Sequence, residues 1–177
     1  MDLTVDGYIV FDVPATVQSK QANYNFIDPH DGKSIRQAFT ESYELPCLLP
    51  PGRRALLASH ETVHIPRKRI GLICLRSTWA RLGFMSPTTI ADAGFHGQLT
   101  MEVYNVAQRA ILIRPGDIIW SMTFLITKRL RVYRGRYQMQ KGITLPKALL
   151  PEVSSESLLG QVRGSAKCYS TGFRGAV

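Results

Sequence analysis

Residues 98–105 read "QLTMEVYN", and the spacing of their apolar members decides the class of fold. If the stretch is extended, Leu99, Met101 and Val103 share one side, and Gln98, Thr100, Glu102 and Tyr104 share the other. An apolar row backed by a polar one marks a strand with one face in a core. The same period of two recurs in "YIVFDV" (8–13), "RALLASHETVHIP" (54–66), "RIGLICL" (69–75), "AILIRPG" (110–116) and "DIIWSMTFLITKRLRVY" (117–133), with Pro or Gly turns between them. The expected fold is therefore all-β. In the last stretch Ile118, Trp120, Met122, Phe124 and Ile126 alternate with Ile119, Ser121, Thr123 and Leu125, and this two-sided apolarity predicts a strand buried between sheets. Only "KSIRQAFTESY" (33–43) and "SSESLLGQV" (154–162) offer themselves as helices. Short strands with frequent turns point to a sandwich or jelly roll.

Glu102 is the one acid on that strand, and its polar face meets either solvent or a site; periodicity leaves both open. With 177 residues, 45% hydrophobic and 20% charged, the chain is long enough for one filled core. No apolar run approaches the roughly 18 residues of a membrane span, and the N-terminus has no basic, then apolar, leader pattern. A soluble, cytoplasmic protein without a membrane partner is expected. Cys47, Cys74 and Cys168 are odd in number and scattered, which indicates neither a disulfide framework nor a Cys-x-x-Cys site; reduced thiols are expected, with Cys74 in the core. The net charge is +9, concentrated in "KRLRVYRGRYQMQK" (128–141), where Lys128, Arg129, Arg131, Arg134, Arg136 and Lys141 stand without an acid. Such a run serves an anionic ligand or a solvated face, and the lack of a finger or RRM signature makes nucleic acid an unlikely partner.

"HETVH" (60–64) matches the His-Glu-x-x-His zinc signature, whose chemistry needs a helix so that two imidazoles one turn apart converge. Thr62 and Val63 are β-branched and Pro66 follows, so the segment should be extended. Its histidines would then stand roughly 13 Å apart, too far to share an ion. The zinc-deaminase pattern, His-x-Glu with a later Pro-Cys-x-x-Cys, is absent. No zinc is expected.

Three blocks carry more information. "RSTWARLGFMSPTTIADAGFHGQLTMEVYN" (76–105), "RPGDIIWSMTF" (114–124) and "YRGRYQMQKG" (133–142) resemble, in order and spacing, the dCTP deaminase branch of the deoxyuridine triphosphatase-like family. The resemblance implies a distorted jelly-roll or β-barrel subunit of the dUTPase-like β-clip type, in a homotrimer whose sites are shared between neighbouring chains. It assigns residues 1–150 to one such β domain and 151–177 to a C-terminal tail.

The resemblance also distributes roles. Arg76, Ser77, Thr78 and Arg81 are expected at the triphosphate, where guanidinium forks and hydroxyls suit phosphate oxygens, with Ser77 and Arg81 assisting the catalytic centre. Ile90, Ala91, Asp92, Gly94 and Phe95 are expected to read deoxyribose and pyrimidine, small residues letting the backbone approach a ligand. Tyr133, Arg136 and Gln140 complete the substrate contacts. Glu102 is expected to take a proton from the water that attacks C4 of cytosine and to return protons to the departing ammonia. Mg²⁺ would enter only through the substrate triphosphate. Thr78 and Trp79, Arg136 and Ser121 depart from the family pattern, which has Ser, Lys and often Gln at the Thr78, Arg136 and Ser121 positions.

The tail supports a rival reading. "RGSAKCYSTG" (163–172) has the length and both ends of the glycine-rich lid of trimeric dUTPases but lacks its middle glycines and phenylalanine. On that reading Asp92 activates water for hydrolysis of dUTP to dUMP and pyrophosphate. Both acids are present, so the expected activity is dCTP deamination toward dUTP, alone or followed by release of dUMP, a precursor of dTTP. The alternatives are a dUTPase and a non-catalytic jelly roll binding nucleotide or nucleic acid.

Overall fold

The computed structural model describes residues 1–12, 27–128 and 132–149. The strands are β1 (Asp2–Phe11), β2 (Glu41–Glu44), β3 (Cys47–Leu49), β4 (Arg54–Ser59), β5 (Val63–His64), β6 (Arg69–Leu75), β7 (Phe84–Met85), β8 (Thr89–Ala91), β9 (His96–Gly97), β10 (Thr100–Asn105), β11 (Ile111–Ile113) and β12 (Ile118–Ile126), with two short helices, α1 (Gly32–Gln37) and α2 (Ser77–Arg81). The fold is all-β, as the period of two predicts. One curled sheet runs β7-β10-β4-β1-β12-β6-β8 with β2 added beside β1, and β3–β11 and β5–β9 form separate pairs.

β1 organises the sheet because both its edges are used. It pairs with β12 through Asp2–Thr4, with β2 through Tyr8–Phe11 and with β4 through Val5–Phe11. Leu3, Val5 and Ile9 of β1, Leu57 of β4, Ile73 of β6, Met101 and Val103 of β10, and Trp120 and Met122 of β12 are all buried in one cluster. Burying each such side chain contributes about 1.5–3 kcal/mol. Trp120 keeps its indole nitrogen satisfied by donating to Ser86 Oγ at 3.0 Å, as a buried donor must.

Three expectations are corrected. β12 is not enclosed along its length: Ile119, Trp120 and Met122 are buried, whereas Ile126 is 83% exposed. The reason is that β1 covers only residues 118–121 and Met1 reaches Met122, leaving 123–126 paired to β6 alone. The helix expected over 33–43 stops at Gln37, capped at its start by the Asp31 side chain accepting from Lys33 N. Residues 41–44 find β1 as a ladder partner instead, a tertiary pairing that overrides local preference. Cys74 is half-buried opposite Ser121 rather than in the core.

Residues 60–64 are not helical, and Val63–His64 is strand, which matches the reading of "HETVH". No helix of the described residues is long and apolar enough to cross a membrane. The expected helix at 154–162, the tail 151–177 with its lid-like stretch and Cys168, and Arg129 and Arg131 lie outside the described residues.

Candidate active site

The alternation that builds β10 also builds a site. Met101 and Val103 go into the core, and Thr100 and Glu102 go to the other face, where Glu102 stands opposite Leu56 of β4. A cavity of about 300 Å³ opens there, between β8, the turn that follows it, β10 and residues 133–146. Ile73, Ala91, Phe95, Leu99 and Met101 are buried and give it an apolar floor. Asp92, Glu102, Tyr133, Tyr137, Gln140, Thr89, Thr100 and Thr144 supply its polar groups. Seven predicted site residues thus meet: Ile90, Ala91, Asp92, Phe95, Glu102, Tyr133 and Gln140. Among the described residues the carboxylates of Asp92 and Glu102 have no hydrogen-bond or ion-pair partner, and no Lys or Arg lines the cavity. Its volume lies at the low end of ligand pockets, roughly 300–1,000 Å³.

Two segments some forty positions apart are stitched together to form this wall. Gln98 N donates to Gln140 O at 3.0 Å, and Gln140 Nε2 donates back to Gln98 O at 2.7 Å. Gln138 receives His96 N at 3.1 Å and donates to Gly94 O at 3.0 Å, while Gln98 Oε1 accepts from Gly142 N at 2.6 Å. Close approach needs glycine. At Gly97 (φ 146°) a Cβ would lie 2.8 Å from Gln140 O, and at Gly94 (φ 83°) it would meet the backbone of Val132 and Tyr133 at 3.2 Å. Gly94 thereby accommodates the protein's own segment. Tyr133 is held by donation from its N to Ala93 O at 2.8 Å and by an edge contact with Phe95, ring centres 5.7 Å apart. Its ring crosses Gly135 so closely that a Cβ there would fall 2.2 Å from it.

The predicted phosphate residues are elsewhere. Ser77, Thr78 and Arg81 lie on α2, beyond the end of β6, and none lines the cavity. Arg76 pairs with Asp2 at 2.6 Å; the exposed Arg81 has no partner among the described residues. Trp79 anchors the helix, donating from its indole to Ile118 O at 2.9 Å and packing on Phe84. Arg136 donates to Ala148 O and is not in the lining. A second depression, of about 640 Å³, shares Ile90, Asp92 and Tyr133 with the first cavity and carries Lys128 and Arg134. Part of the basic run thus stands beside the site.

A family model described as dCTP deaminase-like matches residues 2–127. The chain belongs to the dCTP deaminase-like family. The dCTP deaminase of Caldivirga maquilingensis is 39% identical over 130 residues, which are 72% of this chain and 73% of that one. That of Pyrobaculum aerophilum is 38% identical over 126 residues, 71% and 72% of the two chains. The crystal structure of 2'-deoxycytidine 5'-triphosphate deaminase from Agrobacterium tumefaciens superposes with a TM-score of 0.54 at 18% identity, over 71% of this chain and 38% of that chain; at that identity it supports the fold. The part matching the dCTP deaminase-like family contains Glu102, Asp92 and α2, while Tyr133, Arg136 and Gln140 fall beyond it.

Sequence reasoning missed several lining residues of this dCTP deaminase-like chain. Thr100 was discoverable, since it shares the face of Glu102. Thr144, whose N donates to Thr100 Oγ1 at 2.9 Å, and Pro146 come from a stretch without periodicity and gave no signal. Tyr137 stood in the basic run, but nothing marked it as facing a cavity.

Proposed function

We propose that this chain hydrolyses dCTP to dUTP and ammonia, with Glu102 as the proton-transferring group. The observation that carries the reading is the cavity that Glu102 lines together with Asp92, Phe95 and Tyr133, its carboxylate having no hydrogen-bond or ion-pair partner among the described residues. Glu102 takes a proton from water as the oxygen bonds to C4. It passes that proton to N3, takes the second proton from the C4 hydroxyl and delivers it to N4; the C4–N4 bond breaks, ammonia leaves and C4 becomes a carbonyl. Phe95 and Tyr133 offer aromatic surface for sugar or base. Mg²⁺ arrives with the substrate and neutralises the triphosphate.

No Lys or Arg of the described residues lines the cavity, so a second set of residues is proposed for the triphosphate. The family resemblance points to Arg76, Ser77, Thr78 and Arg81 of a neighbouring copy in a homotrimer. Asp92 in the same cavity favours a second reading, in which it activates a further water and the product is dUMP with pyrophosphate. Incubating the purified protein with dCTP and Mg²⁺ and separating the products tests both. Ammonia with dUTP, or with dUMP and pyrophosphate, is expected; absence of ammonia with pyrophosphate released from added dUTP would overturn the deaminase reading in favour of a dUTPase. Inactivity on both with salt-sensitive polymer binding would favour a non-catalytic protein.

A further inference from the structure

We propose that His64 and His96 form a binding site for a divalent transition-metal ion, outside the nucleotide cavity. They are direct cross-strand partners, on β5 and β9. Their Nδ1 atoms are 3.5 Å apart, their ring centres 5.4 Å apart and their planes at 89°. The nitrogens are nearer than the ring centres, so they lie on the facing sides of the two rings. At 3.5 Å the pair is longer than a good N–H···N or N–H···O bond, roughly 2.7–3.2 Å. It is close to the edge of a tetrahedron of nitrogens around zinc, roughly 3.3–3.4 Å for metal–nitrogen bonds of about 2.0–2.1 Å. Two imidazoles select Zn²⁺, Ni²⁺ or Cu²⁺ over Mg²⁺. His64 is exposed and His96 half-buried, which leaves water to fill the other positions.

The backbone beneath is fixed before any ion arrives. Ile65 N donates to Phe95 O and Gly94 N to Ile65 O, both at 2.9 Å, and His96 O accepts from Met139 N at 2.7 Å. The imidazoles are thereby held in register by ladders on both sides, and such preorganisation favours chelation. An ion there would clip together β5, β9 and, through His96, the segment that carries Gln140.

The test is a titration of the untagged full chain with Ni²⁺ by calorimetry, paired with Cu²⁺ electron paramagnetic resonance. The protein has four histidines, so His30 and His60 serve as controls. Expected are one site per chain, two nitrogens in the copper hyperfine pattern, and at least a tenfold loss of Ni²⁺ affinity, about the effect of disturbing a ligand shell, in His64→Ala and in His96→Ala. His30→Ala and His60→Ala should bind as the parent does. Unchanged affinity in His64→Ala, loss in His60→Ala, or a single-nitrogen signal would overturn the site. His64 is exposed, and a circular-dichroism melt of each variant separates lost ligation from lost folding.

Discussion

Replacing Glu102 by Gln keeps the shape of the side chain and removes its capacity to accept a proton. Ammonia release from dCTP should fall by about 10²–10⁴-fold, the usual worth of a positioned acid–base group, while dCTP binding by calorimetry persists. Deamination at the parent rate would reject Glu102 as the base. Asp92→Asn separates the second reading, since only pyrophosphate release asks for another base; that release should fall further than ammonia release in the same assay. Glu102 also shows what one residue reveals in sequence. Its alternation with Met101 and Val103 placed it on the polar face, which the structure reproduces, but only the order of the surrounding blocks gave that face a purpose.

At the level of elements, the join between residues 94–98 and 138–142 decides the geometry of the cavity. Gly97→Ala should cost about 1–3 kcal/mol in a thermal or denaturant melt, because a Cβ meets Gln140 backbone and the backbone conformation is one that side chains resist. It should also raise KM more than it lowers kcat. Gly52→Ala is the control: its φ is also positive, at 71°, but nothing lies within 4 Å of its Cβ, so KM should stay put. Long half-buried strands were legible because they repeat a pattern, and β6 occupies the 69–75 read from its sequence. The two- and three-residue strands β5, β7, β8 and β9 were not read as separate elements, because two residues carry no period and are set by their partners. The site was half legible for the same reason. Residues in recurring blocks could be named, whereas the glutamine stitches and Thr144 exist only once distant segments meet.

For the whole molecule the question is whether one chain can hold a complete nucleotide. If α2 of a neighbour supplies the cations, co-expressed Glu102→Gln and Arg81→Ala subunits should recover ammonia release that neither variant has alone. Failure to recover it in a verified mixed assembly would point to Lys128 and Arg134 of the same chain, which already stand beside Asp92. The central position of β1 carries a further consequence, for synthesis. Met1 N donates to Met122 O across 121 positions, and Leu3 pairs with Trp120, so a chain emerging from the ribosome has this strand long before it has its β12 partner. Until then Leu3 lacks its cross-strand partner and the strand presents an open edge over residues 2–4. Stalled or clipped fragments ending before residue 118 should therefore aggregate rather than persist as smaller folded units.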